Sequence, residues 1–299
     1  MSRKILAIYY TQTGQLAEII NNISTALISE DTSVEYVSIK PVNDYPFPWN
    51  GEQFFSIMPN CVLDVSTPLQ PFQLKEKKYD LILLGYQPWF LSPCIPINSL
   101  LDDAAFKEVL NGTPVITITG ARNMWINAFQ RIKNKLQING AKVVGNIALV
   151  DKHANIISLA TISFWMFKGL KEKYLGLFPK PGVSDEDIKN ASLFGEIINK
   201  HFQTNTLDSL QEDIKNNKGL EVVYRLMYIE NTAKRLFNLW ANFIAKRDKP
   251  KIWLVLFKYY LLFAIIIVAP VVLTFDAIFI KPFSTRKIQL LTEKNSGVI

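Results

Sequence analysis

Residues Ile5 to Glu18 read ILAIYYTQTGQLAE, and this stretch limits the fold more than any other. A short apolar run stops at a polar, hydroxyl-rich loop with one glycine. An amphipathic run from Leu16 follows at once. That order describes a buried parallel strand, a phosphate-cradling loop and a helix N-terminus. Such a loop needs no cation. Backbone N–H groups, hydroxyls and the helix dipole, worth about 0.3–1 kcal/mol, hold a phosphate monoester. Thr11, Gln12, Thr13, Gly14 and Gln15 supply the donors, Leu16 opens the helix, and Gly14 lets the backbone approach closely. No Gly-Lys-Ser/Thr follows, which excludes a Walker A loop. The three spaced glycines of a dinucleotide fingerprint are also missing.

Further strand candidates recur at βα spacing: Lys4–Tyr10, Ser33–Ile39, Tyr79–Tyr86, Thr113–Thr119 and Lys142–Val150. They are apolar nearly throughout, as strands covered on both faces should be. Helices are expected over Leu16–Ser29, Ile97–Leu110, Met124–Asn139 with Gly140 as its stop, and Ser184–Phe202 with a serine cap. The expected fold class is α/β: a doubly wound five-stranded parallel sheet in the order 2-1-3-4-5.

In that topology ligands sit beyond the carboxyl ends of the strands. After the third strand comes GYQPWFLSPCIP, where Gln87, Pro88, Trp89 and Phe90 form a Pro-stiffened aromatic loop able to stack on a flat ring. After the fourth comes TGARNMW. There Gly120 permits a tight turn, Ala121 and Arg122 follow, Asn123 is placed to cap the next helix, and Trp125 adds another ring. Two segments, Pro41–Lys78 and Ser163–Gly182, are rich in aromatics. They either cover the sheet or wall an apolar pocket. Cys61 and Cys94 exclude a disulfide framework, and Cys94 reads as a packing residue rather than a nucleophile. His153 and His201 lack metal-ligand spacing and read as solvated or structural.

The Thr11–Leu16 loop resembles the FMN phosphate loop of the flavodoxin-like family, T/S-x-T-G-N-T. Thr11, Thr13 and Gly14 match, whereas Gln15 and Leu16 replace the usual Asn and Thr. The resemblance covers roughly residues 1–203 and implies FMN as cofactor, held by the three loops named above. A narrower set of strings, including IYYTQTGQL, YPFPW, YQPWFLSPCIP, GARNMW and FPKPGVSDEDI, resembles a bacterial group of dialkylresorcinol condensing enzymes in aryl-lipid and flexirubin-type pathways. That resemblance implies aromatisation of a dialkyl cyclohexanedione to a dialkylresorcinol. It also implies a ketosynthase and an acyl carrier protein as partners. Flavodoxin-like reductases further imply a homo-oligomer.

The C-terminal third carries most of the net charge of +7. That charge flanks an apolar run instead of lining a groove, which points to membrane lipid and away from nucleic acid. Glu221–Arg247 is amphipathic, with Val222, Leu226, Ile229, Ala233, Leu236, Trp240 and Phe243 on its apolar stripe. From Tyr259 to Phe275 no residue is charged, a length near the lower limit for a span. Pro270 would kink the segment or fold it into a shallow re-entrant hairpin. The denser basic flank precedes the segment, which predicts the FMN domain on the cytoplasmic side of the membrane.

The expected division is 1–203 for the FMN domain, 204–250 for a linker and amphipathic helix, 251–282 for a transmembrane or re-entrant segment, and 283–299 for a polar tail. The expected function is that of a membrane-anchored, FMN-dependent oxidoreductase acting on a hydrophobic cyclic small molecule. Two alternatives stay open at this point. One is an electron carrier or quinone reductase at the membrane, and the other is a flavin-free membrane scaffold.

Overall fold

The structure, a computed structural model, describes residues 3–298. Its centre is one parallel sheet of five strands: β1 (Arg3–Tyr9), β2 (Thr32–Ser38), β3 (Leu81–Tyr86), β6 (Pro114–Ala121) and β7 (Lys142–Val150). Their spatial order is β2-β1-β3-β6-β7. Counted without β4 (Pro88–Trp89) and β5 (Ser92–Pro93), which form a separate antiparallel hairpin, this is 2-1-3-4-5. The strand limits agree with the expected ones to within two residues. Apolar runs covered on both faces leave few other ways to bury their side chains.

Alternation along β1 feeds two cores. Ile5 and Ala7 face α1 (Gln15–Thr25), α8 (Asp185–Asn190), α9 (Ser192–Thr204) and α10 (Leu210–Asn216). Leu6 and Ile8 face α4 (Ile95–Asp102), α5 (Ala104–Leu110) and α6 (Ile126–Ile138). The first core takes in Leu210 and Ile214, and the second Leu220 and Met227, so both reach past residue 203.

Several elements differ from expectation. The helix expected over Ile97–Leu110 is two, because Asp103 turns extended and its side chain accepts from the Phe106 amide at 2.9 Å. An N-cap inside an apolar periodic run divides it. Ser184–Phe202 likewise divides at Ala191, although the Ser184 cap is present, accepting from the Asp187 amide. The segment Ser163–Gly182 begins within α7 (Asn155–Lys168), a helix apolar on most sides and therefore without a clear period.

A third layer covers the second core. It consists of α2 (Gly51–Ser56), α3 (Met58–Val62), α11 (Tyr224–Ala245) and one long apolar helix, Pro250–Phe279. The buried stripe of α11 is Met227, Glu230, Phe237, Ala241 and Ile244, one position on from the stripe read in the sequence. The reason is that α11 is packed on two sides. Trp240 and Phe243 serve the apolar helix, where Trp240 meets Phe257 at 5.7 Å and Phe243 meets Trp253 at 4.7 Å. The apolar helix does not fold back as a hairpin at Pro270. A π-helical turn at Ala264–Val268 precedes the proline, and the helix runs on. Only 6% of its most apolar stretch is buried, so it is no core helix. A last helix, Thr285–Ser296, leads back to the sheet domain, where Val298 joins the second core.

Candidate functional site

The loop after β1 is built from its own residues. Gly14 sits at φ +85° as the N-cap of α1, and nothing lies within 4 Å of where its Cβ would stand. Its amide donates to Thr11 Oγ1 at 3.1 Å, which closes the turn. Among the described residues, the amides of Gln12, Thr13, Gln15, Leu16 and Ala17 have no protein acceptor. Unpartnered amides at and just before a helix N-terminus suit a phosphate. The side chains divide their work. Thr13 keeps its hydroxyl uncommitted among the described residues. Gln15 turns inward instead, accepting from the Val183 amide at 3.2 Å, and Leu16 packs in the core. The Asn-to-Gln departure thus trades a possible side-chain donor for a tie to the α7–α8 connection.

Gln12 links this loop to the aromatic segment. Its Nε2 donates to the Pro46 carbonyl at 3.1 Å, and its Oε1 accepts from Trp49 Nε1 at 3.0 Å. Trp49 in turn meets Trp89 at 5.8 Å, and Trp89 meets Tyr10 at 5.8 Å and Tyr45 at 5.1 Å, all edge to face. Tyr10, Tyr45, Trp49 and Trp89 therefore wall one corner of the loop. Phe90 does not share it. The hairpin tip places Phe90 at φ +48° and Leu91 at φ +61°, and Phe90 points into the helical layer, 4.7 Å from Phe54 and 6.3 Å from Phe237. Adjacent residues across a tight turn serve opposite sides. Pro88 and Pro93 pair across the hairpin.

The third loop departs most from expectation. Gly120 and Ala121 are still strand residues of β6. Gly120 lets α1 come close, since a Cβ there would stand 3.0 Å from Ile19 Cδ1. Trp125 is buried in the core against Phe129, so it is no wall of a site. Among the described residues Asn123 caps no helix, and the N-cap position of α6 is Trp125. Asn123 Nδ2 donates to Asn155 Oδ1 at 2.8 Å, as Arg122 Nη1 does at 3.1 Å. The α6 N-terminus is taken by Glu230 of α11, which accepts from the Asn127 amide at 2.7 Å. Burial pushes the Glu230 carboxyl up to about 7, against the pull of these amides. It also pushes the Arg122 guanidinium down to about 10, opposed by Asp151.

Asp151, one residue past β7, is a site residue that the sequence reading of the first, third and fourth strand ends does not include. Its buried carboxylate binds His153 Nδ1 at 2.6 Å and accepts from Ser158 Oγ at 2.7 Å. Its amide donates to the carbonyls of Ala121 and Arg122. His153 is partly exposed at the carboxyl edge of the sheet, with its Nδ1 facing that carboxylate. His201 is structural, bridging Asp213 and Thr206. Cys61 and Cys94 are buried, and burial pushes both thiols up, which keeps them inert.

Two buried acceptors at adjacent strand ends, Gln87 Oε1 and Asn123 Oδ1, have no partner among the described residues. Orphaned acceptors beside five free amides suit a ligand that carries a phosphate at one end and N–H or O–H groups elsewhere.

The strand order and the loop at the β1 carboxyl end define a flavodoxin-like doubly wound α/β protein. No protein-family model matches the chain, and no curated protein matches it. Among solved structures it is similar to a Lactobacillus acidophilus flavoprotein in complex with FMN, at 20% identity over 49% of this chain and 93% of that one, TM-score 0.38. It is similar to a flavodoxin from the domain Archaea, at 11% identity over 67% and 99%, TM-score 0.37. It is also similar to oxidised flavodoxin 1 from Bacillus cereus, at 17% over 67% and 97%, TM-score 0.34.

Proposed function

We propose that this chain is an FMN-binding redox protein that works on a hydrophobic substrate at a membrane surface. The observation that carries the reading is the set of free amides from Gln12 to Ala17 around a left-handed Gly14, with no side-chain cation needed. FMN, when bound, supplies a two-electron acceptor. In this reading the loop holds its phosphate, and Trp89 covers a face of the ring. Gln87 and Asn123 accept from its polar groups, and Arg122 favours negative charge at its pyrimidine edge.

What supports this substrate class is the apolar lining next to the aromatic corner. A cavity of about 790 Å³ lies between α2 and the start of the apolar helix, lined by Phe55, Leu254 and Lys258 among others. From it a chain of ring contacts leads inward. Phe55 meets Phe54 at 5.2 Å, Phe54 meets Trp49 at 5.9 Å, and Trp49 meets Trp89. An apolar aromatic wall of this kind suits an alkyl-bearing ring beside it. A dialkyl cyclohexanedione made by a ketosynthase from carrier-bound chains has that chemistry. Loss of two hydrogens, one as hydride and one as a proton, followed by enolisation, would make it a dialkylresorcinol. In this reading His153, held through Nδ1 by Asp151, takes the proton.

The test is to purify the full chain in detergent and titrate it with FMN, following the visible spectrum, then to add a dialkyl cyclohexanedione without oxygen. Saturable binding and bleaching by the dione support the reading. No affinity for FMN removes it, and binding without bleaching removes the dione alone.

A further inference from the structure

We propose that the apolar helix lies in the plane of a single bilayer leaflet, with both of its ends on the side of the sheet domain, and does not cross the membrane. This rests on the membrane association proposed above and concerns its geometry.

The helix Pro250–Phe279 has 30 residues, which at 1.5 Å each is about 45 Å of length, more than the ~30 Å of a hydrocarbon core. Length therefore permits a span. Packing does not. The helix runs antiparallel along α11 and is tied to it at both ends. Near its start, Phe257 is fully buried, 5.4 Å from Phe237. Near its end, Asp276 is 1% exposed and accepts from the Tyr224 hydroxyl at 2.8 Å. A crossing helix would take α11 with it. Yet α11 shows Arg225, Asn231, Arg235 and Asn242 to solvent, and these do not belong in hydrocarbon.

The chain after the helix returns to the domain it left. The Ser296 carbonyl accepts from Gln211 Nε2 at 2.9 Å, and Val298 packs in the same core as Leu6 and Ile8 of β1. A crossing helix would strand these groups on the opposite side. The rest of the helix surface has the complementary property. Val255, Tyr259, Ile266, Val271, Phe275 and Phe279 are all exposed along the helix. Basic residues frame the helix at both ends, Arg247 and Lys249 at one and Lys281 and Lys287 at the other, all exposed. Charge of one sign at both ends fits two contacts with the same anionic headgroup layer, and the apolar surface between them fits the leaflet beneath.

The experiment adds the full chain from outside to preformed vesicles of phosphatidylcholine and phosphatidylglycerol. Two single variants, Lys77→Cys on the sheet domain and Lys294→Cys on the last helix, are exposed to a membrane-impermeant maleimide. The unchanged protein corrects for the buried Cys61 and Cys94. The expected result is that the chain floats with the vesicles and that both variants label to the same extent. Labelling of Lys77→Cys with Lys294→Cys protected until detergent is added overturns the in-plane geometry and leaves membrane association standing. A chain that stays out of the vesicle fraction, including as a soluble oligomer that hides the helix, overturns both. FMN absorbance in the same samples reports separately on the cofactor.

Discussion

Glu230 and Asn127 stand 103 positions apart in the chain, yet the Glu230 carboxylate accepts the Asn127 amide at 2.7 Å. The bond joins α11 to the first turn of α6, the helix that follows the Arg122–Asn123 loop. One end of the candidate site is thus held by the layer that carries the apolar helix. Negative charge at a helix N-terminus is favourable, whereas its burial is costly.

That balance predicts a pH dependence. Burial holds the Glu230 carboxyl at about 7, above the ordinary 4.5. Between those values the folded chain binds a proton that the unfolded chain has lost. Its contribution is fully present below 4.5 and disappears as pH rises through 7, a change on the order of 3 kcal/mol. Glu230→Gln keeps an acceptor for the amide and removes the titration. Urea midpoints should converge at low pH and favour the variant at high pH. An equal gap at about pH 5 and about pH 8 would refute the assignment.

Gly14→Ala tests the phosphate loop. A non-glycine residue at φ +85° costs about 1–2 kcal/mol, so FMN affinity should fall roughly tenfold with the fold intact. Quenching of FMN fluorescence measures it. An unchanged dissociation constant would mean that the loop does not hold the ligand.

Trp89 and Phe90 should behave differently despite adjacency. Trp89→Ala is expected to weaken FMN binding and alter its visible spectrum, with a small effect on melting. Phe90→Ala is expected to destabilise the fold by roughly 3 kcal/mol, because Phe90 packs on Phe54 and Phe237. Calorimetry and FMN titration of both variants check this, and the same profile for the two would contradict it.

Gly195→Ala should destabilise the sheet domain by roughly 2–3 kcal/mol without touching the site. Its Cβ would stand 2.1 Å from the Ile23 carbonyl oxygen, a backbone atom that cannot turn aside, so α9 would have to move off α1. A melt indistinguishable from the parent chain would count against this packing.

The sheet was legible because each strand is an apolar run with punctuation at both ends, as Leu81–Tyr86 shows. The phosphate loop was legible for the same reason, its residues being contiguous. What was not legible depends on distant partners. Nothing near Asn123 announces that Glu230 takes the α6 N-terminus, and nothing in Gln15 announces Val183. Asp151 and His153 carried a readable signal, an acid directly after an apolar strand. Trp125 and Phe90 were misplaced because composition reports an aromatic residue and not the direction in which it points. Apolar length alone permitted a span over Pro250–Phe279, and only the partners of Phe257 and Asp276 reveal how that helix is held.

The two left-handed residues at the hairpin tip carry a consequence for truncation. Phe90 and Leu91 each occupy a conformation that L side chains avoid, and contacts from α2, α3 and α11 keep them there. A chain cut before residue 224 would retain every loop around the phosphate turn, yet it would lose part of the clamp on that tip. Trp89 would then be released from its corner, so a shortened protein can look whole in sequence and still present a misshapen pocket.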